Sequence, residues 1–310
     1  MTFAILSHPD CLKHQTPPGH PERVERLEAI LDALNAPDFA AAARIEAPMA
    51  KDAAILRAHP QSHLDLINDN APASGHVSLD PDTHMSPGTL VAARRAAGAN
   101  VRAVDMVING DARSAFCATR PPGHHAEKTT AMGFCFYSNA AIAALHALEA
   151  HGLSRVAIAD FDVHHGNGTQ NVFWDDARVL FASSHQSPLY PGSGAEDETG
   201  AGNIHNATLP PMANGLQFRQ VWQDRLLPAI GAHKPELIVI SAGFDAHTRD
   251  PLANLMVEDE DFAWVTEQLC DLASQHCGGR VVSTLEGGYD LQGLASGTAA
   301  HVKVLMERAA

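Results

Sequence analysis

A chain of 310 residues, 45% of them hydrophobic and 18% charged, is long and apolar enough to bury a large core. It has 21 basic and 36 acidic side chains, and the formal net charge of −15 argues against binding to nucleic acids or anionic membranes. The 5 cysteines include no Cys-x-x-Cys pair, and their odd number is typical of a reducing compartment.

The sequence contains no segment that predicts a membrane or export signal. No apolar run approaches the roughly 20 residues needed to span a bilayer. Residues 1–7 are too short and lack the basic residues of a signal peptide, so we interpret them as the start of a first strand. No linker, repeat or low-complexity tract divides residues 1–310. We therefore expect one domain, located in the cytoplasm. Whether the chain forms a homo-oligomer stays open.

Apolar runs and helical periods alternate along the chain. Strands are predicted at 3–7, 114–118, 155–160, 178–183, 237–242 and 280–285, and helices at 21–34, 89–108, 138–151, 216–230, 259–276 and 294–308. The segments 68–88 and 184–211 show no clear period and are predicted as long loops, which are usually functional. This alternation predicts an α/β fold with a mostly parallel sheet covered by helices on both faces.

Polar side chains follow the strand predicted at 155–160. Alternate residues of an extended segment share a face, so Asp160, Asp162 and His164 are expected to point the same way. A carboxylate and an imidazole two residues apart can bind one divalent metal ion. The next residues form a Gly-rich turn that includes Asn167. This pattern predicts a site at the carboxyl end of the strand, where active sites of open α/β sheets assemble.

Three other predicted strands also end in polar residues beside glycine or proline. One precedes Arg-Pro-Pro-Gly-His-His (120–125), one runs into Gly-Phe-Asp-Ala-His (243–247), and one leads to Glu-Gly-Gly-Tyr (286–289). Because the carboxyl ends of parallel strands meet at one edge of a sheet, these segments are expected to converge on one function.

These segments resemble the zinc-dependent histone deacetylase family, which includes acetylpolyamine amidohydrolases and acetoin-utilisation proteins. The matching segments are Arg-Pro-Pro-Gly-His-His (120–125), Gly-Phe-Cys-Phe-Tyr-Ser-Asn (133–139), Asp-Phe-Asp-Val-His-His-Gly-Asn-Gly (160–168), Ser-Ala-Gly-Phe-Asp-Ala-His (241–247) and Glu-Gly-Gly-Tyr (286–289). They occur in the family's order, and the likeness begins near residue 19. Asn167, where some members carry Asp, resembles the class II branch. The resemblance implies a single-domain arginase/deacetylase-like fold.

By this resemblance, Asp162, His164 and Asp245 are the ligands of a zinc ion. A catalytic zinc typically has three protein ligands and an open position for water, whereas a structural zinc usually has four. A structural metal is therefore the weaker alternative. Bound to such a metal, water has its pKa lowered towards about 7 and becomes a nucleophile for an amide carbonyl.

The resemblance also implies roles for the neighbouring polar residues. His125 would be the general base that later protonates the leaving amine, and His124 an electrostatic stabiliser. Asp160 would pair with His124 and Asn167 with His125, and the anionic partner would raise the imidazole pKa more than the neutral amide. The Tyr289 hydroxyl would donate to the developing oxyanion.

Further matches concern a monovalent cation and the substrate. A potassium or sodium ion would be held by the following residues: Asp160, Ser183, Ser184 and the backbone carbonyls of Asp162 and His164. Phe134 and Tyr190 match the walls of an acyl-lysine tunnel, and Gly133 its backbone acceptor. Arg26 matches an arginine that lines an internal acetate channel.

Three functions stay open: a lysine deacylase acting on an acyl-lysine peptide, an acetylpolyamine amidohydrolase acting on a small acylated amine, and a catalytically silent acyl-lysine-binding module. Every catalytic position is filled, which disfavours the silent module. Polyamine-specific relatives carry a glutamate where Leu252 stands, so its absence favours acyl-lysine or neutral amides. Acids on other loops, namely Asp80, Asp82, Glu196 or Asp197, could replace that glutamate.

Overall fold

A parallel sheet of eight strands forms the centre of the protein in the computed structural model, which describes residues 3–310. The strand order is β2-β1-β5-β10-β9-β6-β7-β8, and each of these pairings is parallel. The strands are β1 (Phe3–Ser7), β2 (Ala43–Glu46), β3 (Val77–Ser78), β4 (His84–Met85), β5 (Ser114–Cys117), β6 (Val156–Asp160), β7 (Val179–Gln186), β8 (Ile204–Leu209), β9 (Leu237–Ala242) and β10 (Val281–Leu285). Strands β3 and β4 form a separate antiparallel pair.

Helices connect most of the strands and cover both faces of the sheet. They are α1 (Val24–Leu34), α2 (Asp52–Ile55), α3 (Gln61–Asp69), α4 (Thr89–Asn109), α5 (Asn139–His151), α6 (Asn167–Phe173), α7 (Gly215–Val221), α8 (Leu227–His233), α9 (Asp259–Cys277) and α10 (Leu291–Ala309). Short 3-10 helices cover Pro9–Lys13 and Pro37–Phe39, and a π-helical turn, Trp222–Leu226, joins α7 to α8. No helix within the described residues has both the length and the apolar character needed to cross a bilayer.

Alternate residues of the central strands point into two separate hydrophobic cores. On β9, Ile238 and Ile240 pack with residues of α9 and α10, whereas Leu237 and Val239 pack with residues of α4 and α5. Strands that are buried on both faces in this way read as continuous apolar runs. The predicted α/β architecture, with helices on both faces of a parallel sheet, is therefore correct.

Several predicted boundaries differ from the structure. The segment 184–211, predicted as a loop, contains the end of β7 and the whole of β8. Three of the six residues of the edge strand β8 (His205, Asn206 and Thr208) are polar and do not alternate strictly with the apolar ones, so a search for apolar runs does not find it. The segment 68–88 contains the short β3–β4 pair, and the helix predicted from residue 21 begins at Val24. Residues 1 and 2 of the predicted domain lie outside the described residues.

Candidate active site

Two carboxylates and an imidazole meet at the carboxyl edge of the sheet. Asp162 and His164 follow β6, and Asp245 follows β9, which pairs with β6. His164 Nδ1 lies 3.1 Å from Asp162 Oδ1 and 3.0 Å from Asp245 Oδ2. One potential ligand atom from each residue lies within 4.8 Å of the others, and all three residues are buried. This donor set, three groups with a combined charge of −2, fits a divalent metal ion such as zinc.

The electrostatics of this group favour a cation. Although burial alone would lower it, the carboxylates of Asp162 and Asp245 raise the pKa of His164 to about 10. Burial and the charge of Asp162 raise the pKa of Asp245. Buried carboxylates close to one another repel unless a positive charge lies between them. A metal ion would supply that charge and would bind a neutral imidazole.

Backbone groups hold the two carboxylates in place. Gly287 N donates to Asp162 Oδ2 at 2.8 Å, and Val163 N donates to Asp245 Oδ1 at 2.8 Å. A Cβ atom added at Gly243 would lie 2.0 Å from Asp162 Oδ2, and one added at Gly287 would lie 2.1 Å from Asp245 Oδ2. The backbone therefore approaches the carboxylates so closely that only glycine fits.

Two neighbouring histidines contact different partners. His124 Nδ1 lies 3.0 Å from Asp160 Oδ2, and His125 Nδ1 lies 2.8 Å from Asn167 Oδ1. The two imidazole rings are 4.0 Å apart between centroids. The structure thus brings together both pairs that the sequence predicts.

The two histidines differ in their affinity for protons. Burial alone would lower the pKa of both. The charges of Asp162 and Asp160 nevertheless hold the pKa of His124 well above its usual range. For His125, burial and the positive charges on His124 and His164 hold the pKa well below that range. A pair whose environments separate their pKa values in this way suits acid–base chemistry.

Tyr289 lies beyond the end of β10 and is buried. Its backbone N–H donates to Asp250 Oδ2 at 2.6 Å, and the guanidinium of Arg26 lies 4.8 Å from its ring centroid. The Phe134 ring packs edge-on at 5.9 Å between centroids. Burial raises the pKa of the Tyr289 phenol well above its usual range, so the hydroxyl keeps its proton and can donate it.

Arg26, predicted to line an acetate channel, lies fully buried behind Tyr289. It donates to the backbone carbonyls of Gly288 and Glu286 and to Glu22 Oε1. These bonds fix the turn that carries Tyr289. The channel itself stays a prediction.

Glu286 supports the site in a way that the sequence did not predict. Its Oε2 accepts hydrogen bonds from Gly123 N at 2.7 Å and His124 N at 3.1 Å, and its Oε1 accepts one from Ser241 Oγ at 3.1 Å. Glu286 thereby connects β9, β10 and the two histidines. In the sequence, Glu286 is marked only by its place in the Glu-Gly-Gly-Tyr segment, in which a role is predicted for Tyr289 alone.

Of the predicted substrate residues, Leu252 lines a cavity beside Tyr289, whereas Gly133, Phe134 and Tyr190 do not contribute to its lining. This cavity has a volume of about 780 Å³, and Leu252, His20, Glu25 and Glu28 contribute to its lining. The exposed fractions are 36% for Leu252 and 39% for Tyr190.

The other predicted substrate residues lie close to His125 and Tyr289. Tyr190 packs edge-on against His125 at 5.2 Å between ring centroids. Gly133 has a φ of +56°, and a Cβ there would lie 2.4 Å from His125 Cδ2. The Gly133 carbonyl oxygen accepts a hydrogen bond from Cys135 Sγ at 3.2 Å. Phe134, also with a positive φ, is half-buried and contacts Tyr289.

The side chains predicted to hold a monovalent cation lie on the neighbouring strands β6 and β7. Asp160 pairs in register with Ser183 on β7. Ser183 Oγ lies 3.0 Å from His185 Nδ1, while Ser184 Oγ accepts a hydrogen bond from Trp222 Nε1 at 2.9 Å. A potassium or sodium site here stays a prediction.

A second His/Asp group lies away from this edge, between α4 and α5. Asp105 Oδ1 lies 2.7 Å from both His146 Nε2 and His151 Nε2. Arg57 Nη1 lies 3.2 Å from His146 Nδ1. Since Arg57 can only donate, His146 Nδ1 accepts and Nε2 carries the proton, which satisfies Asp105 without a metal.

The sheet, with polar groups gathered at its carboxyl edge, has the architecture of α/β enzymes, and comparison with known proteins identifies the family. A family model described as the histone deacetylase domain matches residues 20–305, so the chain belongs to the histone deacetylase domain family. A probable deacetylase from Archaeoglobus fulgidus is 37% identical over 300 residues, which cover 94% of this chain and 83% of that protein.

Two further similarities extend this result. A histone deacetylase-like amidohydrolase from Pseudomonas aeruginosa is 40% identical over 282 residues, covering 87% of this chain and 73% of that protein. The crystal structure of the HDA15 HD domain superposes with a TM-score of 0.93 at 34% identity, covering 99% of this chain and 89% of that one. The predicted family and fold are therefore confirmed.

Proposed function

We propose that this protein is a zinc-dependent deacylase that removes acetyl or other acyl groups from lysine side chains. The observation that carries the proposal is the buried group of Asp162, His164 and Asp245, next to two histidines with separated pKa values. Zinc bound by these three residues would polarise the scissile carbonyl and lower the pKa of a bound water. We place the enzyme in the cytoplasm, since its five cysteines are free and buried.

The residues of the chain supply the remaining steps. His125, whose pKa is low, starts neutral and accepts a proton at Nε2 when water attacks; it then returns the proton to the leaving amine. His124 stays protonated beside Asp160 and stabilises the negative charge that develops. Tyr289 donates its hydroxyl to the developing oxyanion.

The site also restricts which amides can bind. Phe134 and Tyr190 present aromatic surface to an apolar acyl-lysine chain, and Gly133 provides a backbone acceptor. Leu252 at the cavity gives a second ammonium no partner at that position.

An acetylpolyamine amidohydrolase is the second candidate, and a specific observation favours it. Glu25 and Glu28 line the cavity, and burial together with Asp80 raises the pKa of Asp82 to about 6. A substrate ammonium could neutralise these acids. Of the other candidate acids, Glu196 is already held by Arg225 and Thr208.

A direct test uses the purified zinc-loaded protein and an acetyl-lysine peptide, with acetate release as the readout. We expect turnover that disappears on chelation and returns with zinc. Absence of turnover on acetyl-lysine, longer acyl-lysine and acetylpolyamine substrates would instead support the silent binding module.

A further inference from the structure

The amide of Asn167 has acceptors on one side and the general base on the other. Its Nδ2 donates to Glu127 Oε1 at 2.9 Å and to Met132 Sδ at 3.4 Å, while its Oδ1 faces His125 Nδ1 at 2.8 Å. An amide has two donors on nitrogen and only acceptors on oxygen. Turning the Asn167 amide over would place its oxygen against the Glu127 carboxylate and its NH₂ group against His125.

This orientation determines which nitrogen of His125 carries the proton. With Oδ1 of Asn167 as the neighbour, His125 Nδ1 must donate, so the lone pair of the neutral ring lies on Nε2. In the reversed orientation Nδ1 would accept and Nε2 would carry the proton. His125 could then not take a proton from water at Nε2.

We propose that Glu127 is a positioning residue that fixes the Asn167 amide and, through it, the proton-accepting nitrogen of His125. The inference rests on the proposed amide hydrolysis and adds a residue to it. Glu127 touches neither the reacting atoms nor the metal ligands. Its carboxylate acts on His125 through the side chain of Asn167, which lies between them.

The backbone holds Glu127 opposite Asn167. Thr169 N, in α6, donates to His124 O at 3.1 Å, and Lys128 N donates to Asn171 Oδ1 at 3.0 Å. A Cβ atom at Gly168 would lie 2.4 Å from Ala126 O, so the two segments touch directly. Glu127 is therefore part of a fixed contact between the histidine segment and α6.

The two histidines thus have different links to a negative charge. Asp160 contacts His124 directly, whereas the charge of Glu127 reaches His125 only through a neutral amide. A direct carboxylate favours a permanently protonated ring. The indirect arrangement fixes the tautomer of His125 and leaves the ring free to gain and lose a proton.

A double-mutant cycle separates positioning from other roles. We expect Glu127→Ala to lower kcat by roughly tenfold or more with KM within about twofold, and Glu127→Gln, which keeps an acceptor oxygen, to lie between it and wild type. Glu127→Ala with Asn167→Ala should be no worse than Asn167→Ala alone. If the double variant instead loses kcat by the product of the two single losses, the proposal is overturned. Glu307→Gln removes an exposed charge on α10 and should behave as wild type.

In the Asn167→Asp background, removal of Glu127 should change kcat in a different direction than it does in wild type. In that variant Glu127 would face a carboxylate instead of an amide, so the two acids repel. Glu127→Ala should then leave kcat unchanged or raise it. A loss of kcat as large as in the wild-type background would contradict the positioning role.

The tautomer of His125 can be measured by NMR, without an activity assay. Two-bond ¹⁵N–¹H spectra of the zinc-loaded protein, with His125 assigned through His125→Gln, should show Nδ1–H in wild type and loss of that preference in Glu127→Ala. The same tautomer in both proteins would overturn the proposal. If Glu127→Ala loses the Nδ1–H preference that wild type shows, but wild type hydrolyses no acyl amide, the positioning stands and the proposed function fails.

Discussion

The residues at the sheet edge and those at the mouth of the predicted substrate tunnel are held in different ways. Asp162 and Asp245 are buried and accept backbone hydrogen bonds, and Tyr289 is buried and donates its backbone N–H to Asp250. Tyr190 and Leu252, in contrast, each expose more than a third of their surface, at 39% and 36%. Substitutions at the edge should therefore abolish metal binding or catalysis. Substitutions at the mouth should change mainly which substrate is preferred.

The largest effect is expected from the metal ligands. Asp162→Ala or Asp245→Ala should abolish zinc binding together with activity, because three ligands leave no redundancy. Metal analysis and acetate release measure both effects. Asp105→Ala, in the second His/Asp group, is the matched control and should keep zinc and activity. Stoichiometric zinc in both ligand variants would refute the ligand assignment.

Substitution of Gly287, which lies beside the metal ligands, should have an effect nearly as large. Gly287→Ala places a methyl group 2.1 Å from Asp245 Oδ2 and should destabilise the fold by about 1–3 kcal/mol and weaken zinc binding. Gly231→Ala in α8 meets nothing closer than 3.5 Å and should stabilise by about 0.5–1 kcal/mol. Equal unfolding temperatures and zinc affinities for the two variants would show that the edge is not tightly packed.

Tyr289→Phe tests the edge without changing its packing. The ring contacts with Arg26 and Phe134 remain, so the variant should fold and bind zinc normally. Loss of one oxyanion donor should lower turnover by roughly 10²–10³. Near-normal turnover on an acetyl-lysine peptide would remove Tyr289 from the mechanism.

The smallest effect is expected at the mouth. Leu252→Glu should shift preference towards N8-acetylspermidine. Because Leu252 is 36% exposed, the new ion pair is worth roughly 0.2–1 kcal/mol, or at most about fivefold in relative kcat/KM. Leu252→Gln has similar size without the charge and is the control. An equal shift in both variants would show that charge is not the cause.

The sequence predicts the elements that carry the sheet edge better than the rest of the fold. Apolar runs that end in Asp or His predicted β6 and β9 and the segments that meet at their ends. Strand β8 was not predicted because polar residues interrupt its apolar ones. Helix α6 was not predicted because it begins within a Gly-rich turn.

Contacts between distant segments were also missed. Glu286 bonded to His124 N, and Glu127 bonded to Asn167, depend on tertiary packing that leaves no period in the sequence. Family resemblance named the residues at the reacting centre. It did not show which side chains hold them.

The choice of leaving amine can be measured directly on the wild-type zinc enzyme. With Leu252 at a position where polyamine-specific relatives carry glutamate, kcat/KM should be higher for an acetyl-lysine peptide than for N8-acetylspermidine. An ammonium buried beside the Leu252 side chain has no charge partner at that position, which costs free energy. A preference for the polyamine of about tenfold or more, equivalent to about 1.4 kcal/mol, would contradict the lysine deacylase and establish the acetylpolyamine amidohydrolase in its place.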